Sequence, residues 1–219
     1  MPLMRAFFRM SDFPLAKTLL VGISGASGSG KSFFAHKLQT LLAPLSSIIL
    51  SQDDYYQDLA MLSLHQREKV NFDHPDAVDF ELLVHHLHFL RSGRQIEHPL
   101  YDFSCHTRRI ETASAGPADV VLVDGILIFC HPACRDIFDY RIYIDTPLDI
   151  CFIRRLHRDI TERERTIDSV TQQYLQTVRP MFWQFVQPAS RAADMIITDD
   201  AIFDDQILCV RDHILKILE

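Results

Sequence analysis

The stretch that decides the fold is GASGSGKS at residues 25–32, which matches the pattern G-x-x-x-x-G-K-[S/T]. It follows an apolar run, Thr18–Ile23, that predicts a buried β-strand, and it opens a helical pattern over Lys31–Leu42. Glycines between a strand and a helix let backbone N–H groups curl around phosphate oxygens. We therefore predict a loop that binds nucleotide phosphates, made of Gly25, Ala26, Ser27, Gly28, Ser29, Gly30, Lys31 and Ser32.

Outward from this loop, short aliphatic runs alternate with helical patterns. The runs that predict further buried strands are Ser47–Leu50, Asp119–Val123, Arg141–Ile144 and Met195–Thr198. Further helices are predicted from an Asp79 N-cap to about Leu90, from Pro147 through Ile160, from Asp168 onward and over Phe203–Leu218. Apolar strands that alternate with helices indicate a parallel sheet covered on both faces, so the predicted fold class is α/β with a doubly wound sheet.

Two segments interrupt this alternation. Residues 95–113 hold two polar-aromatic extended pieces around Ser104 and Cys105, which predicts an inserted β-hairpin. Residues 154–173 begin with a dense run of arginines and predict a helical, arginine-rich lid. With no repeat or linker elsewhere, we expect one domain over residues 18–219 behind an N-terminal tail, residues 1–17.

Composition excludes several classes of protein. With 47% hydrophobic and 23% charged residues, the chain can bury a full core, and five scattered cysteines fit a reducing, cytoplasmic compartment better than a disulfide framework. Its longest apolar stretch, Val120–Cys130, is interrupted by Asp124 and falls short of the roughly 20 residues that span a bilayer. The net charge of −7 opposes binding of long nucleic acids. We therefore expect neither a membrane nor a nucleic acid as partner.

Acidic residues follow two of the predicted strands. Asp124 ends an apolar run, where a carboxylate can lie beside Mg²⁺ in phosphate-loop enzymes, although it could instead cap a turn. Asp53 and Asp54 follow the second strand, at the sheet edge where open α/β sheets bind ligands. A kinase that phosphorylates an alcohol needs a carboxylate there to orient the hydroxyl and accept its proton, although a solvated acidic loop is the alternative.

A series of motifs then appears in order between about Thr18 and Ile197: GISGASGSGKS, SQDDYY, NFDHPDAVD, PLYDFSCHTR, VDGILIF, RRLHRDITERER and ADMIIT. Together they resemble the uridine kinase (uridine-cytidine kinase) family of P-loop kinases. The resemblance implies a P-loop NTPase fold and Mg²⁺-dependent transfer of the γ-phosphoryl group of ATP or GTP to the 5′-hydroxyl of uridine or cytidine. The products would be UMP or CMP, made in pyrimidine salvage by a homo-oligomer, often a tetramer.

The resemblance also implies roles for individual residues. Asp53 would be the general base and would share Mg²⁺ with Ser32 and Asp124, while Lys31, Arg158 and Arg163 would offset phosphoryl charge. The residues implied to bind the acceptor nucleoside are Tyr56, Phe72, Asp73, Tyr101, Phe103, His106, Arg155, Arg165 and Gln173. Among these, Asp73 would bind the ribose hydroxyls, Tyr101 and His106 would recognise the pyrimidine, and Phe72 and Phe103 would stack on it.

Two positions depart from the family pattern. Asp124 stands where the family usually has Glu, and Glu164 stands where it usually has Gly. Two alternatives to a uridine kinase therefore stay open. One is a related small-molecule kinase of the phosphoribulokinase or pantothenate kinase type, in which Arg108 and Arg109 would meet a phosphorylated acceptor. The other is a weakly active nucleotide-binding sensor. The arginine run could also be an ordinary solvated helix face whose charges pair with one another.

Overall fold

The computed structural model describes residues 18–198 and 203–219, so the predicted tail, residues 1–17, lies outside the described residues. The strands are β1 (Leu19–Gly25), β2 (Ser47–Ser51), β3 (Ile96–Asp102), β4 (Thr107–Ala115), β5 (Val120–Asp124), β6 (Tyr140–Asp145) and β7 (Met195–Thr198). Five of them form one sheet in the order β2-β5-β1-β6-β7, and every neighbouring pair is parallel. Each of the predicted sheet strands is confirmed to within about two residues.

The helices are α1 (Lys31–Leu41), α2 (Leu64–Arg67), α3 (Phe80–Arg91), α4 (Pro132–Asp136), α5 (Leu148–Glu162), α6 (Ile167–Gln173), α7 (Arg179–Met181), α8 (Gln187–Ala189) and α9 (Phe203–Leu218). Asp79 caps α3 as predicted, because its carboxylate accepts the Leu82 N–H at 3.0 Å. Helix α6 begins at Ile167, one residue before the predicted start at Asp168, and Thr166 is its N-cap, whose hydroxyl accepts the Ser169 N–H.

Helical structure continues beyond α6 through two π-helical turns, Tyr174–Val178 and Phe182–Val186, which the sequence analysis did not predict. A proline follows each turn, at Pro180 and Pro188. Proline cannot donate the i→i−4 hydrogen bond, and its ring crowds the preceding turn, so a widened turn lets the helical path continue.

The core lies on both faces of the parallel sheet. Strand β1 is buried along its whole length, which explains why its sequence is continuously apolar rather than alternating. One face packs against α1 and α9 through residues such as Phe34 and Ile207, and the other packs against α3 through residues such as Leu83. The doubly wound α/β fold is therefore confirmed.

The inserted hairpin is also confirmed and forms a separate antiparallel sheet, with β3 and β4 paired from Ile96 and Ala115 to Asp102 and Thr107. Its pairing shifts register between Pro99 and Tyr101. Because proline has no N–H to donate, such an irregularity suits a strand that is paired on one side only. The hairpin lies over the 3₁₀ turn Gln52–Tyr55, above the carboxyl edge of the main sheet.

None of the helices in residues 18–198 and 203–219 is both long and apolar enough to cross a membrane. All five cysteines of the chain are free thiols.

Candidate functional site

The loop at residues 25–32 curls between the end of β1 and the start of α1. Gly28 and Gly30 have φ angles of +85° and +95°, which L-residues with side chains rarely adopt. A Cβ on Gly28 would lie only 2.3 Å from the carbonyl oxygen of Cys151, so the loop packs directly against α5. Lys31 is buried, and its Nζ donates to the Ala26 carbonyl at 2.9 Å. The loop therefore closes around its own lysine.

Two side chains fasten this loop to its surroundings. The Thr146 hydroxyl donates to the Ser29 carbonyl at 2.9 Å, and Arg155 Nη1 donates to Ser27 Oγ at 2.8 Å. Burial lowers the pKa of Lys31, while the negative charges of Asp124 and Asp53 act in the opposite direction. The lysine ammonium therefore lies near two carboxylates, and we call the region formed by Asp53 and Asp124 the acidic corner. A bound phosphate would add a further negative charge beside the ammonium.

The acidic corner forms where β2 and β5 end side by side. The Ser32 hydroxyl donates to a carboxylate oxygen of Asp124, so the shorter acid at this position still reaches the loop directly. Burial raises the pKa of Asp124, and Lys31 and Ser32 oppose that rise. A hydroxyl and nearby carboxylates are oxygen ligands of the kind Mg²⁺ takes, with phosphate and water completing its shell. The described residues contain no cluster of three or more His, Cys, Asp or Glu side chains arranged for a metal.

Gln52 brings Asp53 to this corner, a role of Gln52 that was not predicted from the sequence. Its side chain is fully buried, and its Oε1 accepts the Leu127 N–H at 2.7 Å, which ties the turn after β2 to the chain after β5. The Ser51 hydroxyl accepts the Asp53 N–H at 3.2 Å and caps the same turn. The only sequence signal was a polar residue directly beside the acidic pair.

An aromatic pocket adjoins the acidic corner under the hairpin. Tyr56 meets Phe72 and Tyr101 edge to face, with ring centroids 5.1 and 5.2 Å apart. His106 stacks on Phe72 at 5.3 Å and 17°, in a left-handed conformation with φ of 51°. Left-handed backbone costs energy in a residue that is not glycine, and such strain is typical of ligand sites. The buried Tyr101 hydroxyl has no hydrogen-bond partner among the described residues.

Phe103 lies at the mouth of this pocket. Its ring is 43% exposed, contacts Tyr101 edge to face at 5.3 Å, and lies 4.9 Å from the Arg163 guanidinium. The hairpin thus contacts the arginine run of the predicted lid. A guanidinium over an aromatic face is an attractive arrangement.

Asp73 forms the floor between the acidic corner and the pocket. It is buried, its Oδ2 accepts from Thr177 Oγ1 at 3.4 Å, and burial raises its pKa while Arg155 opposes that rise. The pKa of Tyr56 is raised well above its usual value by burial, by the charges of Asp53 and Asp73, and by a hydrogen bond to Asp53. These three side chains are therefore close neighbours. Thr177, which comes from a π-helical turn, was not predicted.

The predicted arginine lid gathers around a buried acid that the sequence analysis also missed. Asp159 is 0% exposed, and its carboxylate lies 2.8 Å from Arg158, 3.4 Å from Arg165, 3.7 Å from Arg155 and 3.9 Å from Arg163. The arginine run does pair with an acid, but it does so in the interior rather than on a solvated face. Asp159 stands four residues after Arg155 and four before Arg163, and this spacing was the available signal.

Gln173 joins two arginines of the lid. Its Oε1 accepts from Arg155 Nη2 at 3.0 Å and from Arg165 Nη1 at 2.6 Å, and its amide nitrogen has no hydrogen-bond acceptor among the described residues. Burial lowers the pKa of Arg163, and the positive charge of Arg158 lowers it further. The lid therefore concentrates positive charge beside the loop at residues 25–32.

Known proteins have sequences similar to that of this chain. The family model described as "Phosphoribulokinase / Uridine kinase family" matches residues 20–201. A protein named uridine kinase from Clostridium botulinum (strain Okra / Type B1) is 45% identical over 185 residues, which is 84% of this chain and 90% of that protein. The chain belongs to the phosphoribulokinase/uridine kinase family.

One further relative agrees with membership of this family, and one solved structure agrees with the fold. A protein named uridine kinase from Lactobacillus helveticus (strain DPC 4571) is 46% identical over 186 residues, which is 84% of this chain and 88% of that protein. The crystal structure of a protein described as a fructose transport system kinase from Silicibacter sp. TM1040 superposes with a TM-score of 0.67 at 24% identity, over 82% of this chain and 89% of that one. The structural likeness supports the fold.

Within the phosphoribulokinase/uridine kinase fold, Arg108 serves a structural purpose. Its Nε donates to the Tyr56 carbonyl at 2.8 Å, and its Nη2 lies 3.0 Å from the Asp79 carboxylate that caps α3. A guanidinium already engaged in this way is poorly placed to bind a phosphorylated acceptor. The structure thus weakens the part of the argument for an acceptor such as ribulose 5-phosphate that rests on Arg108, while Arg109 is exposed.

The structure brings the predicted site residues to one end of the sheet, although they come from segments between residues 25 and 173. Contacts join the lid to the loop, the acidic corner to the aromatic pocket, and the pocket to the lid, and we call the region that these four parts border the cleft. Glu164, where the family usually has Gly, has a left-handed φ of 53°. Its backbone therefore has the conformation that glycine adopts without strain.

Proposed function

We propose that this protein is a uridine/cytidine kinase that uses Mg²⁺ and transfers the γ-phosphoryl group of ATP or GTP to the nucleoside 5′-hydroxyl, giving UMP or CMP. One observation carries the proposal: Asp53 stands between a phosphate-binding loop on one side and a pocket of aromatic rings with a buried acid on the other. The relatives named uridine kinase, at about 45% identity, support the same activity.

On the donor side, we assign the loop Gly25–Ser32 to the β- and γ-phosphates. Its backbone N–H groups and the N-terminus of α1 favour negative charge, and Lys31 adds an ammonium group. Arg158 and Arg163 would stabilise the charge on the transferring phosphoryl oxygens. Ser32, Asp53 and Asp124 would hold Mg²⁺, which when bound neutralises charge on the phosphates.

On the acceptor side, we assign Asp53 as the general base. It would orient the 5′-hydroxyl toward the γ-phosphorus and accept the hydroxyl proton as the new P–O bond forms. The Tyr56 hydroxyl, which donates to Asp53, would hold that carboxylate in place. A neighbouring base that can both position and deprotonate the nucleophile is what distinguishes a kinase from a nucleotide sensor.

The ribose would be bound at the floor of the cleft. Asp73 can accept hydrogen bonds from two vicinal hydroxyls, and the free amide hydrogens of Gln173 can donate to one of them. Arg155 and Arg165 orient Gln173 by sharing its oxygen. An acceptor without a 2′-hydroxyl would leave the buried Asp73 partly unsatisfied, so ribose should be preferred to deoxyribose.

The pyrimidine would lie among Tyr56, Phe72, Tyr101 and Phe103. The unpartnered Tyr101 hydroxyl supplies one edge hydrogen bond. His106 supplies another, and burial lowers its pKa, which favours the neutral ring with one donor and one acceptor nitrogen. A neutral imidazole can thereby suit the different edges of uracil and cytosine.

A phosphoryl-transfer assay over a panel of acceptors tests the proposed activity. Nucleoside diphosphate release would be measured with Mg-ATP and with Mg-GTP against uridine, cytidine, deoxyuridine, ribulose 5-phosphate and pantothenate. We expect turnover with uridine and cytidine, slower turnover with deoxyuridine, and none with the last two. Turnover with ribulose 5-phosphate or pantothenate would reassign the acceptor, and nucleotide binding without any turnover would favour a sensor.

We further propose that the enzyme is a cytoplasmic homo-oligomer, a tetramer by its resemblance to uridine kinases, acting in pyrimidine salvage. Free cysteines and a net charge of −7 support a reducing compartment without a nucleic-acid partner. Light scattering coupled to size-exclusion chromatography would measure the mass of the assembly against the 25.3 kDa chain.

A further inference from the structure

Asp159 is the most deeply buried acid of the lid, and its environment is unusual. Its side chain is 0% exposed, yet it lies at the centre of guanidinium groups from Arg155, Arg158, Arg163 and Arg165. A buried carboxylate is costly unless it is paired, and here a single negative charge faces several positive ones. The excess positive charge is suited to a second, polyanionic partner.

The two carboxylate oxygens of Asp159 face different halves of the site. Oδ1 accepts from Arg158 Nε at 3.0 Å and Nη2 at 2.8 Å, and it lies 3.9 Å from Arg163. Oδ2 lies 3.4 Å from Arg165 and 3.7 Å from Arg155. Arg158 and Arg163, which face Oδ1, are the two arginines assigned to the donor phosphates.

Arg155 and Arg165, which face Oδ2, reach the acceptor half, and Arg155 also donates to Ser27 Oγ in the donor loop. Arg155 and Arg165 both donate to Gln173 Oε1, and Arg155 also opposes the rise in pKa that burial causes in Asp73. One carboxylate therefore contacts the arginines of the donor phosphates through one oxygen and those of the ribose site through the other. A ligand that attracts Arg158 and Arg163, or Arg155 and Arg165, away from Asp159 leaves more of the negative charge of Asp159 to attract the other two arginines.

We infer that Asp159 is a positioning residue that couples donor binding to acceptor binding. When the phosphates attract Arg158 and Arg163, charge on the Asp159 carboxylate becomes available to Arg155 and Arg165. Those two arginines are then held more firmly, and with them the Gln173 amide that faces the ribose. The inference rests on the proposed function, because it takes a nucleoside as the acceptor.

Titration calorimetry tests this coupling without relying on turnover. Uridine affinity would be measured with and without a saturating Mg²⁺ complex of the β,γ-imido analogue of ATP. In the unaltered enzyme we expect the analogue to tighten uridine binding by about 5-fold or more. In Asp159→Asn each ligand should still bind alone, but the ratio of the two uridine affinities should fall close to unity. Asp149→Asn, an exposed acid on the same helix, is the matched control and should keep the full ratio.

The ratio separates coupling from a purely structural role. A structural role for Asp159 would weaken both ligands and leave their ratio unchanged, and that outcome would overturn the inference. Because a buried substitution can impair folding, Arg165→Lys provides a second arm: it keeps the charge but loses the fork that joins Asp159 to Gln173. Its ratio should also fall while its affinity for the analogue stays unchanged, and a full ratio would contradict the proposal.

The same experiment separates this inference from the proposed function. Absence of uridine binding in the unaltered enzyme, with the analogue bound, would overturn the proposed function and the coupling that depends on it. Uridine binding of equal strength with and without the analogue would overturn only the coupling.

Discussion

The two halves of the cleft are built in different ways. The donor half is largely one continuous stretch, residues 25–32, locked between β1 and α1 and fastened to the rest of the protein by Thr146 and Arg155. The acceptor half is assembled from the turn after β2, the loop before α3, the hairpin, the lid and a π-helical turn. A phosphate group can be met by local backbone geometry, whereas a nucleoside needs side chains placed from several directions.

The two halves also differ in what they leave unsatisfied. In the donor half the left-handed backbone belongs to glycines, which adopt it without strain, and Lys31 has a hydrogen-bond partner, whereas the buried Ser29 hydroxyl has none among the described residues. In the acceptor half His106 has a left-handed backbone, the Tyr101 hydroxyl lacks a partner among the described residues, and Asp73 is buried. Such features cost stability, and a ligand that supplies the missing hydrogen bonds recovers part of that cost.

The largest expected effect comes from the residue at the junction of the two halves. Asp53→Asn keeps the shape but removes the proton acceptor, so kcat should fall by about 10²–10⁴-fold, with a further loss if Mg²⁺ is displaced. Steady-state assays with uridine would measure it. Asp58→Asn is a nearby control, because its amide oxygen can still accept from Thr107, and it should leave kcat near that of the unaltered enzyme. Unchanged turnover in Asp53→Asn would refute its role as base.

A donor-side substitution should act on chemistry without altering acceptor binding. Lys31→Met removes the ammonium group from the loop and should lower kcat by about 10²–10³-fold, since one preorganised charge at the transferring group is lost. Uridine affinity, measured by calorimetry without nucleotide, should remain unchanged. A large loss of uridine affinity in this variant would show that the two halves are not separable in the way described.

An acceptor-side substitution should show the reverse pattern. Tyr101→Phe removes the hydroxyl that has no described partner, so KM for uridine should rise about 10-fold while KM for Mg-ATP stays constant. The folded protein should lose no stability in a thermal melt. Tyr140→Phe, whose hydroxyl contacts Met195 away from the cleft, is the matched control and should leave both KM values unchanged.

The halves should also differ in their response to pH. The pKa of Asp73 is raised by burial, so this carboxyl takes up a proton at higher pH than an exposed aspartate does. The protonated acid accepts hydrogen bonds less well, so KM for uridine should rise as the pH is lowered below neutral. In Asp73→Asn the uridine KM should be high throughout and lack this rise. A rise of equal size in that variant would assign the effect to another group.

The smallest expected effect concerns Glu164, which lies between α5 and α6. Glu164→Gly relieves a left-handed backbone and should stabilise the fold by up to about 1 kcal/mol, measured by urea unfolding. Glu162→Gly is a control of opposite sign, because Glu162 lies at the end of α5 and glycine weakens helices by about 0.5–1 kcal/mol. Destabilisation by both changes would show that Glu164 makes a contact worth more than its strain.

Much of the fold could be predicted because its signals are local. Each buried strand reads as a continuous apolar run, and the α3 cap and the hairpin have short-range signatures. The π-helical turns could not be predicted in this way, since a widened turn depends on how a proline-containing helix packs. The start of α6 was placed one residue late, because Thr166 and Asp168 are both residues that can cap a helix.

In the candidate site, too, local features could be predicted from the sequence and long-range contacts could not. The sequence by itself determined the conformation of the loop at residues 25–32, because glycine conformations and the start of a helix are properties of adjacent residues. It also determined which residues resemble a nucleoside site. Only the tertiary structure decided that Gln52 ties the acidic turn to the end of β5, and that Asp159 lies inside a ring of arginines rather than on a solvated face. Burial changes the energy of a charge far more than its neighbours in sequence do, and burial is determined only when distant segments pack together.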